Sequence, residues 1–314
     1  MDTDFLEQIA KECMIDDDSN VKLAVKKIQD LDERFERDNL VEIYNYLLSR
    51  SDNAEILTTL VQCSDRLHSN SSLSAFLDIL LMKNIESSSD EFTNLRVLCT
   101  KAIGNLKDTK AVSSLLYCLN NKDENYKIRL ACADALGRIG DRYAVVSLID
   151  VVQDEEEKSV YLRESAASAL GMLGDMRAVE PLVKLLEAQK GIWSKFTFLK
   201  ERVIEALGKL NMDNERVFNA LKNSLVDESP QVRINAIEAI MDSDNPKAVE
   251  IIRKCLTEDE DEEVKKNALI ALYNLIGREI LDEVIESSEF SDSLKMEAVS
   301  MISEYEDVSK EDDE

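Results

Sequence analysis

The stretch Ile128-Arg-Leu-Ala-Cys-Ala-Asp-Ala-Leu-Gly-Arg-Ile-Gly-Asp141 returns 34 residues later, without a gap, as Leu162-Arg-Glu-Ser-Ala-Ala-Ser-Ala-Leu-Gly-Met-Leu-Gly-Asp175. In both copies small and aliphatic side chains recur at three- and four-residue steps, which is the period of one helix face. The basic residue after the first aliphatic serves as an anchor for finding further copies. Such anchors stand at Lys22, Arg96, Arg129, Arg163, Lys200, Arg233, Lys265 and Lys295, and a weaker copy has Glu55 in that place. Successive anchors are 33, 41, 33, 34, 37, 33, 32 and 30 residues apart. A second apolar helix lies between anchors, as in Ala144-Val145 to Val152 and Ala178-Val179 to Leu186. One such helix pair cannot bury its apolar face alone, so the pairs are expected to stack on one another.

A second position repeats independently. Six residues before the anchors stand Asp16, Ser49, Asp90, Asp123, Glu157, Ser194, Asp227, Asp259 and Glu289, and seven of these nine are acidic. An acid ahead of a helix caps free N–H groups and sits well at the positive end of the dipole. Acid and base can also form a ladder between stacked repeats. Gly140 and Gly174 fall where a helix ends and a left-handed residue is useful. The paired glycines Gly137/Gly140 and Gly171/Gly174 recur at the repeat spacing, so they read as helix terminators and not as phosphate loops.

The motif of an aliphatic, Arg, two residues, Ala-Ala, one residue, Ala-Leu-Gly, one residue, Leu-Gly-Asp is nearly complete at 128–141 and 162–175. It is good at 95–106 and 199–210 and fades toward both ends. It resembles the HEAT repeat family, in particular the short variety known from phycobilin lyase subunits. The resemblance covers roughly residues 5 to 305. It implies an all-α fold: a right-handed α-solenoid, or superhelix, of about nine two-helix repeats, forming one domain over residues 1–305. Within it the repeats of 1–85 are degenerate, those of 90–255 are best formed, and 256–305 complete the array. Residues 306–314 are expected to be an acidic disordered tail. In HEAT-like stacks the second helix of each pair lines the concave side, and here that is the anchor-bearing helix.

Composition removes several classes of function. Apolar residues make up 44% and aromatics 5%, with 8 Gly and 3 Pro, too few turn residues for a many-stranded sheet protein. The formal net charge is −26, from 38 basic and 64 acidic residues. Such a field repels phosphate backbones and anionic lipid and attracts basic partners; it also keeps a large exposed surface soluble. The six cysteines, Cys13, Cys63, Cys99, Cys118, Cys132 and Cys255, show no Cys-x-x-Cys spacing and sit within helical patterns as small apolar residues. With no signal segment and no apolar run of membrane length, a cytoplasmic protein is expected. A Ser-His-Asp or Cys-His site has only His68 to use, at a helix end. Gly-x-x-x-x-Gly-Lys-Ser/Thr is absent, and the acidic run Glu258 to Glu263 lacks the glycine and alternating ligands of a calcium loop. HEAT-like deoxyhypusine hydroxylases hold iron with repeated His-Glu pairs, and no such pair occurs here. No enzyme, cofactor or metal centre is therefore expected.

What remains is binding through a groove. The fifth and ninth residues after each anchor are expected to face it: Lys101 and Asn105, Asp134 and Arg138, Ser168 and Met172, Glu205 and Lys209, Glu238 and Asp242, Ile270 and Asn274. The partner-binding candidates are Asp134, Arg138, Met172, Glu205, Lys209, Glu238 and Asp242. Trp193 and Phe196 join them from the insertion 187–199, whose aromatics either anchor a partner or cover the preceding helix pair. The expected role is a scaffold, adaptor or assembly factor that holds a basic protein segment, with no direct nucleic acid and no membrane. Two alternatives stay open. One is a subunit of a bilin lyase or isomerase, which the repeat variety implies. The other is a ribonucleoprotein- or nucleic-acid-associated factor, acting directly or through a partner's basic parts.

Overall fold

The computed structural model describes residues 1–13, 20–82, 89–187, 196–210, 214–243 and 245–311, with side chains through residue 303. It falls into two compact units, Met1–Leu173 and Gly174–Glu314. The first holds α1 (Thr3–Glu12), α2 (Val21–Gln29), α3 (Arg37–Leu48), α4 (Ala54–Arg66), α5 (Leu73–Leu80), α6 (Asp90–Leu106), α7 (Val112–Asn120), α8 (Tyr126–Ile139), α9 (Val145–Gln153) and α10 (Val160–Leu173). The second holds α11 (Val179–Glu187), α12 (Thr197–Leu210), α13 (Glu215–Ser224), α14 (Pro230–Met241), α15 (Ala248–Glu258), α16 (Glu262–Ile276), α17 (Glu279–Glu286) and α18 (Asp292–Glu311). Every anchor falls on an even-numbered helix. In the first unit α4 packs on α6, α6 on α8 and α8 on α10, and α3, α5, α7 and α9 each pack on the even-numbered helix that follows. The second unit repeats this with α12 on α14 and α14 on α16, each backed by the odd-numbered helix before it. Each unit is thus by itself an all-α stack of HEAT-like helix pairs. The last helix continues to Glu311, into the stretch where a tail is expected; no Gly or Pro follows Tyr305 to stop it.

The helix α8 shows how the sequence builds one element. Asn125 caps it by accepting the Lys127 N–H at 2.9 Å. Ile128, Cys132, Ala135, Leu136 and Ile139 then fall on its buried faces. Gly140 ends it at φ +81, and its N–H returns to the Leu136 carbonyl. Gly174 ends α10 in the same way at φ +61. The equivalent residues after α4 and α6 are His68 (φ +44) and Lys107 (φ +54), side chains held in a glycine's conformation. A left-handed backbone costs an L-residue about 1–2 kcal/mol. Lys107→Gly is therefore expected to raise the free energy of unfolding by about 1 kcal/mol in a urea titration; a loss of stability would contradict the left-handed assignment.

One expectation needs correction. Of the paired glycines, only Gly140 and Gly174 terminate helices. Gly137 and Gly171 lie inside α8 and α10 and are buried. A Cβ on Gly137 would meet the Ala169 Cα and Cβ at 2.9 Å, and one on Gly104 would meet the Ala135 Cα at 3.0 Å. These glycines are points of close backbone approach between consecutive even-numbered helices, and their repeat spacing is the spacing of those contacts.

The acid–base interval has a direct structural cause. The anchor side chain reaches the last carbonyls of the preceding odd-numbered helix: Arg96 Nε donates to Leu80 O (2.8 Å), Arg129 Nε to Leu119 O (2.9 Å) and Arg163 Nη1 to Val152 O (2.8 Å). A cation there meets the negative end of the helix dipole. The same anchor bonds the acid of the next repeat: Arg129 with Glu157 at 2.6 Å, Lys200 with Asp227 at 2.5 Å and Arg233 with Asp259 at 2.8 Å. Each acid also accepts the N–H two residues on, at Ser159, Ser229 and Asp261. So the acid shapes the turn before its own helix while binding the base of the repeat before it. The N-cap proper stands four residues before the anchor, at Asn125, Ser159 and Asp261. The first rung differs by one residue: Arg96 pairs with Glu124 at 2.6 Å, where Asp123 is the expected partner. Asp16 and Ser194, the rung positions of α2 and α12, lie outside the described residues.

Candidate functional site

Because the anchors and apolar residues of the even-numbered helices are turned inward, positions five and nine residues later are turned out. In the first unit Asn105 and Met172 are exposed, while Asp134 and Arg138 are half-buried. Most of these polar groups are engaged with one another. Asp134 accepts from the Ser165 hydroxyl of α10. Arg138 Nη1 donates to Asn105 Oδ1 (3.1 Å), and Asn105 Nδ2 donates to Asp65 Oδ1 (3.2 Å), a polar chain across α4, α6 and α8. Met172 lies over the Gly137 contact, with its sulfur 3.4 Å from where a Gly137 Cβ would stand. This face is electrically balanced and partly committed to holding the stack.

The second unit is different. Glu205 on α12, Glu238 on α14 and Asp242 at the end of α14 share one face, and Lys209 is exposed one turn beyond Glu205. Arg202 Nη1 reaches Glu205 at 2.8 Å within α12. Glu238 and Asp242 have no side-chain partner among the described residues. Burial, then Asp242 and Glu205, push the Glu238 carboxyl above its ordinary value. One turn before Glu205 stands Glu201, an acid only 5% exposed. Burial and then the opposing effects of Arg202 and Glu205 leave its carboxyl raised as well. Glu201 is absent from the expected site. Spacing does not single it out: the residue after the anchor is aliphatic at Val97, Leu130 and Ile234 but acidic at Glu164 as well.

The insertion contributes less. Phe196 is half-buried just before α12 and Phe198 is 69% exposed, whereas Trp193 lies outside the described residues. His68 is exposed at its left-handed turn. Among the described residues no three His, Cys, Asp or Glu side chains come close enough to hold a metal ion. No described helix is long and apolar enough to cross a membrane.

The model of the HEAT repeats matches residues 80–161, 114–192 and 196–273, together more than half of the chain. No curated protein matches it. Among solved structures, the complex of CpcE and CpcF of phycocyanin lyase from Nostoc sp. PCC7120 is 23% identical, over 74% of this chain and 87% of that one, with a TM-score of 0.46. Kap95p, solved with RanGDP, is 13% identical with a TM-score of 0.62; the likeness covers 96% of this chain and 47% of that one. Human deoxyhypusine hydroxylase is 16% identical over 86% of this chain and 96% of that one, with a TM-score of 0.35. The likeness to Kap95p is one of fold.

Proposed function

Since the chain belongs to the HEAT repeat family, whose folds carry protein interactions, we propose that it is a non-catalytic scaffold or assembly factor that holds a basic protein segment. The segment lies on the exposed face of α12 and α14. One observation carries this reading: Glu238 and Asp242 stand beside Glu205 without a side-chain partner among the described residues, whereas Asp134 and Arg138, at the same register in the first unit, are bonded to neighbouring helices. Acids that repel one another raise the energy of the free protein, and a cation from a partner relieves it. The balanced polar chain of Asp65, Asn105 and Arg138 in the first unit offers no such site. The proposal places the protein in a reducing, cytoplasmic setting, where five buried thiols and the half-buried Cys255 stay free.

The test is affinity capture from native lysate with the wild-type chain and with Glu205→Lys/Glu238→Lys/Asp242→Lys. The expected result is a protein partner retained by the wild type and lost by the variant, with release by moderate salt. Retention of the same partner by the variant would move the binding surface elsewhere and overturn the assignment.

A further inference from the structure

Among the odd-numbered helices of the first unit, α7 packs directly on α9, whereas α3 meets chiefly the turn Asn70–Ser72 ahead of α5. Between α3 and α5 lies a cleft of about 510 Å³, within the size range of small-molecule sites. One wall is the last turn of α3, with Asn45, Leu48 and Ser49. The other is the face of α5 that carries Ser74, Ala75, Asp78 and Ile79. The polar groups of this cleft are set to accept. Asn45 Nδ2 is spent on the Ser71 carbonyl at 3.2 Å, and its Oδ1, shut away from water, receives no hydrogen bond. An orphaned buried acceptor costs free energy until a donor arrives. Ser49, one turn after Asn45, gives its hydroxyl hydrogen to the Tyr46 carbonyl at 2.7 Å, so its oxygen is left to accept. Asp78 is exposed and has no side-chain partner among the described residues. No basic side chain is among the described residues that line the cleft. The α3 wall is also a helix C-terminus, the negative end of its dipole. Carboxylate, helix end and orphaned acceptor together favour a cation with N–H donors. The donors stand at two separated ends: Asn45 is bonded at Ser71, and Asp78 lies further along α5 by about 10 Å of helix rise.

We propose that this cleft binds a linear aliphatic diamine. One ammonium pairs with Asp78, and the second donates to Asn45 Oδ1 and Ser49 Oγ. The methylene chain between them lies on the apolar surface of Leu48, Ala75 and Ile79. A neutral diol lacks the charge that Asp78 and the helix end favour, and a monoamine serves only one end. The site belongs to the first unit and stands independently of the α12–α14 face.

The experiment is a calorimetric titration of the whole chain with hexamethylenediamine and, separately, with hexylamine and hexamethylene glycol. Wild type is expected to bind the diamine at one saturable site, at least fivefold more tightly than the monoamine, and to show no heat with the glycol. Asp78→Asn is expected to weaken the diamine at least tenfold. It is also expected to melt within about 2 °C of wild type, as an exposed side chain that holds no neighbour, so lost binding is not lost folding. Asp150→Asn, an exposed acid that stands in α9 where Asp78 stands in α5, controls for net charge and is expected to change the affinity by less than twofold. Asn45→Ala is expected to bring the diamine down to the affinity of the monoamine, since it removes the acceptor at the second end. Binding that does not saturate, equal affinities of wild type for diamine and monoamine, or equal losses in Asp78→Asn and Asp150→Asn would overturn the proposal. A preference for the diamine that survives Asn45→Ala would overturn it too.

Discussion

Arg129→Ala is expected to lower the free energy of unfolding by about 3–5 kcal/mol, the usual cost of removing one partner of a buried ion pair. The Arg129 and Glu157 side chains are 7% and 8% exposed. Truncation leaves the Glu157 carboxylate without its counter-ion and the Leu119 carbonyl without its donor, in surroundings where water does not replace them. By contrast, Lys184→Ala on the exposed pair with Glu180, at 3.8 Å, is expected to cost at most about 0.5 kcal/mol. The double change Arg129→Met/Glu157→Leu recovers most of the loss, because an apolar pair has no charge to leave stranded. Urea titrations of the four chains check this; a cost for Arg129→Ala no larger than for Lys184→Ala would show that the rungs do not hold the stack. The first rung also predicts an acid limit. Burial drives the Glu124 carboxyl up, but the Arg96 guanidinium and the Asn125 N–H outweigh it and hold it below its ordinary value of 4.5. A lowered carboxyl contributes its stability above the unfolded value and loses it as pH falls through the folded one. Arg96→Met should therefore narrow its deficit against wild type as pH drops below that range.

Gly137→Ala is expected to destabilise by about 1–3 kcal/mol, the range for overpacked positions. It does so against a helix-propensity gain of about 1 kcal/mol for alanine over glycine. The added Cβ at 2.9 Å meets backbone as well as side chain, so α8 and α10 have to part. Gly104→Ala, at 3.0 Å from the Ala135 Cα, should cost less, and Gly208→Ala, at 3.3 Å from the Ala239 Cβ, least of the three. An unchanged or raised melting temperature for Gly137→Ala would contradict the close approach. The tyrosine and serine that replace this glycine at Tyr273 and Ser303 show that the later pairs do not need the same contact.

Much of this architecture is legible in the residues because a repeat tests each reading several times over. The six-residue interval between acid and base recurs, and the structure turns it into rungs at Arg129, Lys200 and Arg233. Left-handed helix ends are legible at Gly140 and Gly174 but not at Lys107, where propensity points the wrong way and packing overrides it. The role of Gly137 is hidden, since spacing alone does not separate a helix end from a helix contact. The candidate face is legible as a register, five and nine residues after each anchor. What spacing does not show is which of those groups are already engaged: Asp134 and Arg138 bond to neighbouring helices, whereas Glu238 and Asp242 do not. That distinction is three-dimensional, and it separates groups bonded to neighbouring helices from groups that are not.

The most direct test of that distinction is partner retention by Glu238→Gln/Asp242→Asn, measured beside its thermal unfolding at neutral pH. A carboxyl raised by folding costs stability once pH exceeds its folded value, so neutralising Glu238 is expected to leave the melting temperature equal or higher. Partner affinity is expected to fall at least tenfold, the loss of about 1.4 kcal/mol of attraction. A variant that melts lower and keeps its partner would make these acids structural and contradict the account.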